Sequence, residues 1–249
     1  MTTSAMPSAA LELVNVSKSF GGVQALKTIS LEVHPGEVVA LVGDNGAGKS
    51  TAIKIIAGVL RPSSGSIIIH GDSVEMLSPE HAKSVGLEVV YQDLALANRQ
   101  PVYMNMFLGR EQTNRFGLLA KNSMREETRA ILASLDVQVP SVDVSIESLS
   151  GGQRQGVAIG RATHWSRGIV LMDEPTAALG FQETAKVEQV IDRMKSAGKA
   201  ILIVSHNLEQ VFRIADRVYV LRQGTVIGER KIVDSSAREI VAMITGADK

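Results

Sequence analysis

Apolar and polar residues alternate over residues 11–16 and again over 29–33, the period of strands that bury one face. Residues 37–42 are almost continuously apolar, which predicts a strand buried on both faces. A glycine-rich turn follows, and the period lengthens to that of a helix over 49–57. Pro62, Ser63, Ser64 and Gly65 mark a turn ahead of a strand over 66–70. Residues 88–91 are strand-like. From about 93 to 165 the texture is helical, with one helix over 124–135 and another opening near Gly152. Strand texture returns at 168–172, 200–205 and 218–222, with helical segments between. Strands that alternate with helices imply a sheet covered on both faces. The pattern predicts an α/β domain over 11–249: a mixed, largely parallel sheet, an N-terminal antiparallel β part, and an α-helical lobe inserted at about 93–165.

Composition narrows the function classes. Lys plus Arg equals Asp plus Glu at 26 each, which argues against nucleic acid as a partner. Cysteine is absent, so disulfides and thiolate-bound zinc are excluded. Residues 1–10 lack the basic end and apolar run of a secretory signal and read as a flexible tail. No run approaches the roughly 20 apolar residues of a membrane span. If the protein serves transport, another chain forms the path.

The chemistry concentrates where predicted strands end. Gly43, Asp44, Asn45, Gly46, Ala47, Gly48, Lys49, Ser50 and Thr51 lie between the strand over 37–42 and the helix over 49–57. This is a P-loop in its strand–turn–helix context. Glycines let backbone N–H groups wrap phosphate oxygens, and the helix start adds its positive end. Lys49 would reach the β- and γ-phosphates, Ser50 would ligate Mg²⁺, and Thr51 would donate to the α-phosphate. The strand over 168–172 runs into Asp173 and Glu174. Carboxylates at such a strand end face the crevice where open α/β sheets bind ligands. Asp173 suits Mg²⁺ held through water, and Glu174 suits a general base toward water. The strand over 200–205 is followed by His206, placed to hydrogen-bond a γ-phosphate, while Gln92 follows another strand end and suits Mg²⁺ or water.

Leu149, Ser150, Gly151, Gly152 and Gln153 then form a second potential anion site, a hydroxyl and two glycines opening a helix. This run resembles the signature motif of the ABC ATPases, in its order between P-loop and acidic strand. The resemblance spans about residues 11–245. It implies a P-loop NTPase core and ATP with Mg²⁺ as the nucleotide and its metal. It also implies a head-to-tail dimer in which Ser150, Gly151, Gly152 and Gln153 meet the ATP held by the partner's P-loop. Phe20 takes the place of the aromatic that stacks on adenine, with core packing as its alternative. Gln92 matches the loop that links nucleotide to permease, and His206 the switch histidine. The runs 91–96, 105–111 and 174–180 look like importers of simple sugars of the ribose, xylose and fructose type. Gly180 departs from the wider family, which has Asp there.

That branch implies a peripheral subunit on the cytoplasmic side of the cell membrane. Its partners are a second cassette, itself or a homologue, integral-membrane permease subunits and, indirectly, a sugar-binding protein. An ABC ATPase for a different cargo, and a translation or DNA-repair factor, are the competing readings. The long coiled coils, zinc cysteines or second cassette of the last two are absent from this sequence.

Overall fold

The computed structural model of the chain describes residues 8–247. Residues 1–7, most of the expected tail, lie outside the described residues. Ala10 is already buried; its N–H donates to Val33 O at 2.8 Å and its carbonyl accepts from His70 N at 2.9 Å.

Strand β1 (Leu11–Phe20) turns into β2 (Val23–Val33), antiparallel, with Leu11 opposite Val33 and Phe20 opposite Val23. Strand β3 (Val38–Gly43) leads into helix α1 (Lys49–Ile56). Strand β4 (Ser64–Ile69) pairs antiparallel with β1, and β5 (Asp72–Val74) with β4. Helix α2 (Pro79–Ser84), capped by Ser78, precedes β6 (Leu87–Val90). The helical stretch contains α3 (Val102–Met106), α4 (Lys121–Ser134) and α5 (Gly151–Trp165). The chain continues through β7 (Ile169–Asp173), α6 (Phe181–Ser196), β8 (Ala200–Val204) and α7 (Leu208–Ile214). It closes with β9 (Arg217–Arg222), β10 (Thr225–Lys231) and α8 (Ala237–Thr245).

Among the described residues the sheet has ten strands in the order β5-β4-β1-β2-β10-β9-β3-β8-β7-β6. Strands β9, β3, β8 and β7 run parallel to one another. The β1, β2, β4 and β5 part is antiparallel, as is the β9–β10 hairpin. The parallel core and the antiparallel part join at a single register pair, Thr28 with Thr225.

Both faces of the parallel core are covered, and alternation along β3 shows how. Val39 and Leu41 enter a core with Ile53 and Ile56 of α1, whereas Ala40 and Val42 enter one with Val211 of α7 and Ile240 of α8.

The chain divides into two compact units. The first takes the residues up to Val89, Ser166–Glu174, and those from Lys195 onward. The second takes Val90–Trp165 together with Pro175–Met194, so most of α6 clusters with the helical stretch. Its core gathers Val102, Phe107, Met124, Leu132, Ile146 and Val157.

Candidate nucleotide site

The loop from Gly43 to Gly48 is built around two glycines that no other residue replaces. A Cβ on Gly43 would meet Leu221 O at 2.1 Å, and one on Gly48 would meet Leu26 Cδ2 at 2.6 Å. Their φ values of 155° and 111° also lie where side chains are strained. Gly48 caps α1 without any side-chain hydrogen bond to the helix start. The first N–H groups of a helix have no intrahelical partner, so this terminus offers bare donors and a positive dipole end. Lys49 folds back over the loop, donating from Nζ to Gly43 O at 2.7 Å and Asp44 O at 3.0 Å. Inside the loop, Ala47 N–H donates to Asp44 O at 3.1 Å, and Ala47 O accepts from Gly224 N–H at 2.9 Å. Ser50 and Thr51 occupy the first turn of α1.

Asp173 is the last residue of β7, opposite Val204 of β8. Burial pushes its carboxyl upward, the neighbouring Glu174 charge adds to this, and Lys49 and Lys54 pull it back. Glu174 turns the chain in the left-handed region, φ 49°, and its N–H donates to Val204 O at 2.9 Å. Its Oε1 lies 2.8 Å from Nδ1 of His206. The imidazole is 68% exposed and the carboxylate 16%, so the acid is sheltered while its partner faces solvent. The turn carrying His206 is fixed on both sides. The buried Ser205 hydroxyl accepts from Asn207 N–H at 3.1 Å, and Asn207 caps α7. Lysine, two carboxylates and imidazole thus gather at the C-terminal ends of parallel strands, all within the first unit.

In the second unit, Ser150 and Gln153 close a reciprocal capping box at the start of α5. Ser150 N–H donates to Gln153 Oε1 at 3.0 Å, and Gln153 N–H donates to Ser150 Oγ at 3.3 Å. Gln153 Nε2 also donates to Gln138 O at 3.0 Å. The N–H of Gly152 donates to Glu183 of α6 at 3.0 Å, a contact that sequence reasoning missed. A glutamate in a helix's first turn is so common that no local pattern marks this one. Gln92 is exposed just past β6 and also belongs to the second unit. Phe20 ends β1 and is 47% exposed with Lys18 Nζ 5.2 Å from its ring centroid, which removes the core-packing alternative.

The residues fit a nucleoside triphosphate with a divalent ion. A loop whose Gly43 and Gly48 admit no Cβ, an uncapped helix start and a lysine resting on loop carbonyls suit a polyanion. Asp173, disfavoured as an anion where it stands, suits a cation bound nearby.

A family model described as ABC transporter matches residues 26–177. The chain belongs to the ABC transporter family. This ABC chain is 47% identical to the xylose/arabinose import ATP-binding protein of Sulfolobus acidocaldarius, across 94% of its own length and 93% of that protein. It is 40% identical to the fructose import ATP-binding protein of Rhizobium meliloti, across 92% and 91%. A ribose import ATP-binding protein of Chromobacterium violaceum is also 40% identical across 94% of this chain, which spans 46% of that longer protein. Among solved structures, an ATP-binding cassette of an ABC transporter in its ADP conformation superposes with a TM-score of 0.79. Its identity is 26%, covering 96% of this chain and 95% of that one. A dimeric bacterial ABC transporter cassette superposes with a TM-score of 0.75 at 26% identity, covering 89% and 98%. Among the described residues no helix is long and apolar enough to cross a membrane.

Proposed function

We propose that this chain is the ATP-binding and ATP-hydrolysing subunit of an ABC importer for a monosaccharide. The observation that carries the proposal is the Glu174–His206 contact of 2.8 Å beside a P-loop, in a chain 47% and 40% identical to sugar import ATP-binding proteins. The backbone of Gly43 to Gly48 cradles the phosphates, and Lys49 leaves its carbonyl partners to reach the β- and γ-oxygens. Thr51 donates to the α-phosphate, and Phe20 offers its exposed face to adenine. Ser50 and, through water, Asp173 would hold Mg²⁺, and Gln92 would contribute to the same ion or to its water. When bound there, the ion would supply positive charge to the phosphate oxygens.

Glu174 accepts the proton of the attacking water. His206 holds that carboxylate in place through Nδ1 and hydrogen-bonds the γ-phosphate, so loss of the phosphate is felt at the base itself. Two copies pair head to tail, or one copy with a homologous cassette. Ser150, Gly151, Gly152 and Gln153 of each then face the nucleotide held by the partner. Gln92 links the nucleotide state to an integral-membrane permease. A sugar-binding protein acts on that permease, and the subunit sits peripherally on the cytoplasmic side of the membrane. Nucleic acid has no part.

ATP binding and hydrolysis by the purified chain test the core of this reading. Lys49→Ala is expected to abolish tight ATP binding in calorimetry, and unchanged affinity would remove the P-loop from the site. Sugar import is tested by co-expression with a monosaccharide permease. Recovery of the chain in the membrane fraction only when that permease is present is the expected result, and recovery in the soluble fraction either way refutes it.

A further inference from the structure

Glu183 stands in the first turn of α6, three residues after Gly180. Its carboxylate does what an incoming phosphate would do at the start of α5. Oε1 accepts the Gly152 N–H at 3.0 Å, and the neighbouring Ser150 side chain helps to favour the charged carboxylate. The two helix starts are packed tightly here: a Cβ on Gly152 would lie 2.9 Å from Glu183 Cβ. The Gly152 N–H, followed by the Ser150 side chain, holds the acid below its ordinary range, so it remains an anion at neutral pH.

We propose that Glu183 is an internal gate on the signature motif, its carboxylate filling the anion position that Ser150 and Gly152 offer to the partner's ATP. The inference rests on the ABC reading above and deepens it. A carboxylate and a phosphate cannot share one helix start, because like charges at that separation repel and both need the same donors. The sandwich therefore closes only as Glu183 withdraws. Space for the withdrawal exists within the same unit. A cavity of about 370 Å³ opens beside Glu183, with Val137 and Gln138 on one wall and Lys186 and Arg193 on another. Lys186, one turn along α6 from Glu183, already interacts with it electrostatically and can receive the freed carboxylate. Exchanging an internal anion for an external one makes the empty signature stable alone and its engagement dependent on nucleotide.

The test measures ATP-driven dimerisation in the hydrolysis-deficient Glu174→Gln chain, with Glu183 intact or changed to Gln or Ala. The gate predicts half-maximal dimer by light scattering at about three- to tenfold lower ATP in both Glu183 variants. An unchanged or higher ATP requirement overturns it, the latter by showing that Glu183 supports the site instead. A second arm needs no dimer. In the Lys49→Ala chain, whose own P-loop is disabled, inorganic tripolyphosphate is titrated while the Gly152 amide resonance is followed by NMR. Adding Glu183→Gln is expected to lower the concentration at which that resonance moves, and identical titrations refute the gate. If Glu174→Gln never dimerises with ATP, pairing of two identical copies fails while the second arm still decides the gate.

Discussion

Glu174 is held by one oxygen on His206 Nδ1 and sheltered to 16% exposure, which suits a base whose other oxygen faces a water. Glu174→Gln keeps the shape and removes the basicity. Turnover is expected to fall by about 10²–10⁴-fold with ATP affinity retained, and a mutant that hydrolyses ATP at the normal rate would take Glu174 out of the reaction. Asp173 behaves differently, because burial and the Glu174 charge raise its carboxyl in the folded chain. Folding disfavours its ionised form. In acid below the ordinary carboxylate range both folded and unfolded chains carry the proton, and the cost vanishes. As pH rises through the ordinary value and then the raised folded value, the cost grows to its full size and persists at neutral pH. Asp173→Asn is therefore expected to melt about 1–3 °C higher at neutral pH without nucleotide, with the gain disappearing in acid. Calorimetry showing an equal or lower melting temperature at neutral pH would contradict this. These residues were legible in the sequence because each terminates an apolar strand. The Glu174–His206 contact was not, since it joins strand ends whose adjacency depends on the β7–β8 pairing.

At the scale of elements, strong periods were readable and weak ones were not. Strands β3, β7 and β8 stand where uninterrupted apolar runs lie, since burial on both faces leaves no polar position. Strand β10 was missed because none of its residues is fully buried and its last three are exposed, so no alternation marks it. That strand nevertheless carries the junction between the two parts of the sheet, where a single register pair joins β2 to β10. Arg217, at the start of β9, reinforces this junction from the side. Its guanidinium donates to Glu37 ahead of β3, to Glu229 of β10, and to Glu32 O of β2 at 3.0 Å. Arg217 and Glu37 are both largely buried, so removing the cation strands a carboxylate away from water. Arg217→Ala is expected to cost about 3–5 kcal/mol in denaturant-induced unfolding. A loss below about 1 kcal/mol, the range of exposed pairs, would show that the junction does not depend on it.

For the whole molecule, the P-loop, acids and His206 fall in one compact unit and the signature in the other, and the chain contains one of each. A ribose import relative of which the chain spans 46% is about twice its length, whereas the xylose/arabinose and fructose relatives match it nearly end to end. With one P-loop and one signature per chain, two copies supply two of each, and in the proposed head-to-tail pairing a two-fold axis would complete both sites at once. Gly180 bears on whether that pairing is self-sufficient. It is exposed with nothing within 4 Å of a Cβ built on it, so the position tolerates a side chain that the sequence does not supply. Phe181 beside it is 84% exposed. Light scattering of the Glu174→Gln chain, with and without ATP, is expected to show monomer converting to dimer. Gly180→Asp then asks whether the missing carboxylate matters: a lower ATP requirement means it would have added a contact between copies. A monomer that binds ATP without pairing, in both the glycine and aspartate forms, would mean that a homologous cassette or the permease must bring two nucleotide sites together.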